Sequence, residues 1–275
     1  MSIRSHMMTF SELFTVDQPL DCRIKMSPRK PPPSESPATS EPPARRRRLS
    51  AQERELSIAR GAVQFFAEVG FDGDTRQLAQ RLGITQSLIF RHFPTKKALV
   101  DRVYQEVYVG RWNPFWETVI VDRTMTLSER LKRLYKDYAR AALTWDWVRI
   151  YMFSGLRGED INRRYLGLLR SRILEPIAAE VRNELGLPPP GEVSLSELEI
   201  ELVWGINARI FYFGQRRWIF GVPLEEDIDT MIDLTIDHFM GGVRQAVPDI
   251  VDHTLRRRRQ PRKSSLRRNV TRSLQ

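Results

Sequence analysis

Between residues 74 and 97 the chain gathers side chains suited to grasping a polyanion. Thr85, Gln86 and Ser87 follow one another directly after Gly83-Ile84, Arg91 comes four residues after Ser87, and Lys96 and Lys97 close the stretch. A carboxamide such as Gln86 can make two hydrogen bonds to an adenine edge, while Arg91, Lys96 and Lys97 are placed to meet phosphate oxygens. Asp74, Thr75 and Arg76 stand just upstream, at the start of a neighbouring segment. This is chemistry for recognition rather than bond breaking. His6, His92, His238, His253 and the single Cys22 fall at no metal-ligand spacing. No phosphate-loop, dinucleotide or nucleophile-elbow signature is present. Acidic pairs such as Glu159-Asp160 begin helices, where capping and the dipole explain them. No catalytic residue, metal or cofactor is expected.

The elements that must position these groups read as helices throughout. Leu56, Ala59, Ala62, Val63, Phe66 and Ala67 share one face of a helix that Ser50 can cap, with Glu53 three residues on, and Gly70 stops it. Asp74 caps a short helix over Thr75–Leu82. Gly83 ends it, and Thr85 caps a third helix running to about His92. Short helix, glycine turn, short helix is helix-turn-helix geometry, in which the second helix is presented to a DNA major groove. Ile89 and Phe93 are expected to face inward, and Ile84 to plug the angle between the helices.

Pro94 and Thr95 open a fourth helix with Leu99, Val103 and Val107 at four-residue spacing. Further helices are expected over Leu127–Thr144, about Trp147–Leu156, Asp160–Leu185 with a bend at Pro176, Ser196–Phe220 and Leu224–Val247. No alternating strand pattern appears, so the fold class is all-α. Residues 1–49, rich in Pro, Ser and Arg, and the arginine-rich residues 248–275 are expected to form disordered arms.

Charge follows this division. Residues 45–100 carry eleven basic and five acidic residues, a net of +6, and residues 247–275 carry nine against two, a net of +7, whereas residues 101–246 are net −3. A basic excess confined to a small segment and a tail suits a polyanion-binding face on an ordinary body. A lone cysteine excludes an intrachain disulfide. No signal-peptide pattern is read, and no apolar run reaches bilayer length, because Arg149 and Arg157 interrupt the most apolar region. A cytoplasmic protein without a membrane partner is expected.

Residues 70–99, GFDGDTRQLAQRLGITQSLIFRHFPTKKAL, resemble the DNA-binding segment of the tetracycline-repressor (TetR) family. Gly70, Phe71, Leu78, Ala79, Gly83, Ile84, Thr85, His92, Phe93 and Lys96 carry the resemblance. It implies that Thr85, Gln86, Ser87, Phe90, His92 and Lys96 lie at or near DNA. Two departures bear on operator choice. Phe90 stands where the family usually has a tyrosine that gives its hydroxyl to phosphate. Leu88 replaces a common small polar residue and can touch a thymine methyl or simply pack.

The same resemblance implies an N-terminal three-helix DNA-binding domain over 50–97 and a helical ligand-binding and dimerisation domain over 98–247. It also implies a homodimer on double-stranded DNA and a small-molecule effector. The chain's own support is apolar stripes on the last two helices (Leu198, Leu202, Ile206 and Ile210; Ile228, Met231, Ile232, Leu234, Thr235, Phe239 and Val243) and a cluster of aromatics. Trp112, Trp116, Trp145, Tyr151, Trp204 and Phe211 are the candidate pocket residues for an apolar or aromatic effector, with Asn207, Arg209 and Arg149 as polar groups better suited to a surface or interface.

The expected function is therefore a ligand-responsive regulator, most simply a repressor, on a palindromic operator. A DNA-coating protein without operator choice, acting through its basic tails, and a helical ligand carrier with a vestigial helix-turn-helix stay open as alternatives.

Overall fold

A computed structural model of the chain describes residues 49–259. All regular structure among them is helical, as the periodicity requires. Residues 1–48 and 260–275 lie outside the described residues, and with them the expected N-terminal arm and most of the basic tail.

The N-terminal helices begin and end where local chemistry dictates. Helix α1 (Ala51–Val69) opens on a reciprocal capping box, in which the Glu53 backbone N–H donates to Ser50 Oγ at 3.1 Å and the Ser50 N–H donates to Glu53 Oε2 at 2.7 Å. Asp74 caps α2 (Thr75–Leu82), and Gly83, left-handed at φ 63° and ψ 33°, ends it. Thr85 caps α3 (Gln86–His92) and Thr95 caps α4 (Lys96–Tyr104). Ile58, Ala62, Phe66, Phe71, Leu78, Ile89, Phe93 and Leu99 are buried together between these four helices, with Ile84 half-buried at the turn.

Helix α4 does not end at the expected domain boundary. Residues 97 and 98 lie inside it, and it runs on into a π-helical turn, Gln105–Val109. A short α5 (Phe115–Val121), absent from the sequence reading, buries Trp116, Val119 and Ile120. Then come α6 (Leu127–Ala142), α7 (Trp145–Arg157) and α8 (Ile161–Leu169). The expected long helix over 160–185 is bent by a π-helical turn, Arg170–Leu174, before α9 (Glu175–Glu184). Pro176, which has no N–H to donate, stands at the start of α9 and explains the bend.

Helices α10 (Glu197–Trp218) and α11 (Ile228–Arg259) complete the body. Helix α11 starts later than expected and corrects the disordered tail: it does not stop at Val247 but continues through Pro248 to Arg259. Val243, Val247 and Val251 extend its buried stripe in steps of four. Three ion pairs strap it antiparallel to α6: Lys132–Asp237 (2.6 Å), Lys136–Asp233 (2.8 Å) and Arg140–Asp229 (2.6 Å). Deeper in, the fully buried Arg182 of α9 grips Glu199 of α10 with two bonds of 2.5 and 2.7 Å and donates to the Pro188 carbonyl. Burial raises the pKa of Glu199, but the hydrogen bonds from Arg182 and Ser196 outweigh it and hold the carboxyl below its ordinary value.

Candidate nucleic-acid interface and ligand cavity

The turn between α2 and α3 is held by side chains as well as by Gly83. The Ile84 N–H donates to the Ala79 carbonyl at 3.0 Å. Thr75 is buried, and its hydroxyl accepts from Gln86 Nε2 at 2.8 Å. That bond ties the start of α3 to the start of α2. It also changes two expectations, since Thr75 is shut away from any partner and Gln86, half-buried, has its amide engaged within the protein.

What α3 offers outward is Thr85, Ser87, Phe90 and Arg91, all exposed, with Leu88 and His92 half-buried beside them. Thr85 and Ser87 share a hydroxyl–hydroxyl hydrogen bond of 2.9 Å. Phe90 is 38% exposed, an apolar ring on an otherwise polar face. Asp74 and Arg76 flank this surface from α2, both exposed. Lys96 departs from the expected phosphate contact, because its ammonium donates to the Phe71 carbonyl at 2.5 Å. Lys97 pairs with Asp101, and Arg81 makes a two-pronged bond to Glu68. Arg76 and Arg91 therefore remain as the α2–α3 cations without an ion pair among the described residues.

The body contains a cavity of about 510 Å³. Tyr138 of α6, Trp147 and Tyr151 of α7, Tyr165, Leu166 and Leu169 of α8, and Trp204, Asn207 and Phe211 of α10 form its walls, with the exposed Glu201, Gly205 and Ala208 at the side open to solvent. Trp147 stacks on Tyr151 (5.3 Å between centroids, 8° between planes), and Tyr165 and Phe211 meet that pair edge-on. The volume lies in the range of small-molecule sites, which are mostly apolar with a few polar groups.

Of the six aromatics expected here, Tyr151, Trp204 and Phe211 line the cavity and three do not. Trp116 is buried elsewhere and donates to Asp137 at 2.7 Å. Trp112 packs edge-on against Trp116 and donates to Glu117. Trp145 lies under the guanidinium of Arg149. The sequence reading missed Tyr138 and Tyr165, whose hydroxyls share a 2.8 Å hydrogen bond, and it favoured a surface or interface for Asn207. Asn207 is instead buried, at 5% exposure, and neither atom of its amide finds a partner in the chain. Leaving a buried amide unpaired costs about 1–3 kcal/mol.

Two sets of contacts join the cavity walls to the N-terminal helices. Trp147 and Tyr165 both pack on Tyr108, which stacks on Tyr104 of α4 and donates to the Trp147 carbonyl. Arg164 of α8 pairs with Asp101 at 2.6 Å and lies 3.9 Å over the Tyr104 ring. On α7, Arg149 donates to the Ala67 and Glu68 carbonyls at the end of α1, where cations favour the helix dipole. No group of three or more His, Cys, Asp or Glu able to hold a metal occurs among the described residues, and no helix there is long and apolar enough to cross a membrane.

A helix-turn-helix head joined to a helical body with an aromatic cavity defines the class. Residues 58–103 match the family described as bacterial regulatory proteins, tetR family. The tetracycline repressor class A from transposon 1721 of Escherichia coli is 32% identical over 92 residues, 30% of this chain and 42% of that protein. The class D repressor of Escherichia coli is 31% identical over 96 residues, 32% and 43% of the two lengths. The match thus spans less than half the length of these relatives. Two solved structures share the fold over most of the chain. One is a tetR-family transcriptional regulator from Streptomyces coelicolor (TM-score 0.51, 15% identity, 79% of this chain and 94% of that one). The other is a TetR-like transcriptional regulator from Rhodococcus sp. RHA1 (TM-score 0.53, 17% identity, 72% and 100%). The chain is thus similar to the tetR family over residues 58–103, and shares a fold with solved regulators of that family over most of its length.

Proposed function

We propose that this protein is a DNA-binding transcriptional regulator, without catalytic activity, that works as a homodimer and releases or changes its grip on a palindromic operator when a small apolar or aromatic molecule fills the body cavity. The observation that carries the reading is the outward face of α3. Thr85, Ser87, Phe90 and Arg91 project from a helix whose orientation is locked by Gly83 and the Gln86–Thr75 bond. A helix so presented suits the major groove, with hydroxyls and an apolar ring for base edges and Arg76 and Arg91 for phosphate.

Pairing of two copies through α10 and α11 fits the surface these helices expose. Leu198 and Leu234 are each 60% exposed, and His238, Gly241 and Gly242 lie open beside a groove of about 360 Å³ that contains Leu202, Arg209 and Phe239. A ligand against Trp147 and Tyr165 would press on Tyr108 and α4, and so on the angle of the head. It shifts the equilibrium only if it prefers one head arrangement.

Selection of bound duplexes from a random pool, at fixed physiological salt, tests this function. Enrichment of a palindrome with half-sites about one helical turn apart, or a multiple of it, is expected. Recovery of duplexes with no common sequence would replace the reading with a nonspecific DNA coat.

A further inference from the structure

Asn207 brings to the cavity wall a buried amide of which neither atom has a partner in the chain. We propose that the cavity takes a flat, uncharged polycyclic molecule carrying a hydrogen-bond donor and an acceptor side by side on one edge, as in a cyclic amide, and that this edge pairs with the Asn207 carboxamide. The proposal rests on the cavity being the effector site and adds the ligand's chemistry to that reading.

Three observations converge on this class. The first is the amide itself, 5% exposed, lining the cavity, with both Nδ2 and Oδ1 unpartnered. A carboxamide presents one donor face and one acceptor face whichever way it is turned, so its natural complement is another amide edge. The second is the shape of the walls. Trp147 and Tyr151 lie parallel, 8° apart in plane, and the nearby rings of Tyr165 and Phe211 meet them edge-on, geometry in which a further planar ring system stacks well. The third is charge. Among the described residues no Lys or Arg lines the cavity, so an anion has no counter-ion there, and the carboxylate that does line it, Glu201, is exposed to solvent.

Three tricyclic probes of nearly equal size separate these contributions: phenanthridin-6(5H)-one, its N-methyl derivative, which keeps the acceptor and loses the donor, and phenanthrene, which has neither. Quenching of the tryptophan fluorescence of the full chain, to which Trp147 and Trp204 of the cavity wall contribute, reads binding. The lactam is expected to bind roughly tenfold or more tighter than either analogue, as loss of one well-made hydrogen bond in a buried site implies. Asn207→Leu, which replaces the amide with an apolar group of similar volume, is expected to bind all three probes within about threefold of one another.

Equal affinities in the wild type, or full discrimination retained in Asn207→Leu, would overturn the proposal while leaving the cavity as an aromatic binding site. Tighter binding of 9-aminoacridine, a flat cation, than of the lactam would also overturn it and move the polar anchor to Glu201. Failure of every probe to bind would remove the effector-cavity reading as well. Should Asn207→Leu not fold, the comparison of the lactam with its N-methyl derivative on the wild type decides alone.

Discussion

The head and the body of this molecule are built by different means. In the head, each helix is delimited by residues within a few positions of its ends: Ser50 with Glu53, Asp74 with Gln77, Gly83, Thr85, Thr95. The helix ends are thus closed at short range, and longer bonds such as Gln86–Thr75 and Lys96–Phe71 join one helix of the head to the next. The body draws its cavity from four helices spread over more than seventy residues, ties two of them, α6 and α10, to α9 through the buried pairs Arg130–Glu180 and Arg182–Glu199, and leaves one buried amide unpaired. A surface that must fit a fixed partner is thus held by local rules, whereas a site that must respond to an occupant is assembled from distant parts and left incomplete.

The largest effect that would sharpen this contrast lies in the body. Arg182→Leu leaves the Glu199 carboxylate buried without its cation and should lower stability by about 3–5 kcal/mol, while the double variant Arg182→Leu, Glu199→Leu should recover most of the loss. Urea unfolding measures both, and an additive double variant would show that the pair does not act as a unit. The same pair sets a pH dependence. Because the folded pKa of Glu199 is lowered, its contribution is fully present above the ordinary carboxylate range and is lost as pH falls through the lowered value. Urea midpoints between pH 6 and 3 should therefore fall less steeply in the double variant than in the wild type.

A somewhat smaller effect is expected in the head. Gly83→Val forces a β-branched residue into the left-handed region at φ 63° and should cost about 1–3 kcal/mol. Thermal unfolding tests this, and an unchanged midpoint would mean that the turn relaxes without the glycine. Phe90→Tyr restores a hydroxyl where the resemblance puts a phosphate contact, so operator affinity should rise about tenfold, as a hydrogen bond to a charged group implies. The smallest expected effect falls on the link between the two regions. Arg164→Ala removes the Asp101 pair and the contact with Tyr104, and should change the ligand-induced shift in DNA affinity by about 0.5–2 kcal/mol with little change in ligand binding. Equal loss of both would place Arg164 in the cavity's own structure instead.

The same contrast decides what could be read before any coordinates. Caps, the Gly83 turn and the inward Ile89 and Phe93 are legible because each depends on spacing within one helix or turn. The engagement of Lys96 and Gln86 is not legible, because their partners, Phe71 and Thr75, lie 25 and 11 residues away and capture groups that look free in the sequence. Trp112, Trp116 and Trp145 could not be told from Tyr151, Trp204 and Phe211 by type, since only the packing of α6, α7, α8 and α10 decides which rings face a void. One missed signal was available: Val243, Val247 and Val251 keep a four-residue step across Pro248, which foretells a last helix longer than the basic composition suggests.

On the proposed function, sequence-selective DNA recognition resides on the outward face of α3. Affinity for a duplex enriched from the random pool, against the same bases shuffled, measured at one salt concentration for the wild type and for a Ser87→Ala, Phe90→Ala double variant, which removes a hydroxyl and the ring offered to base edges, tests it most directly. Discrimination of about a thousandfold or more is expected in the wild type. In the variant most of that discrimination should vanish with the unfolding midpoint unchanged. Equal discrimination by the two proteins would contradict the claim and move recognition to another part of the molecule.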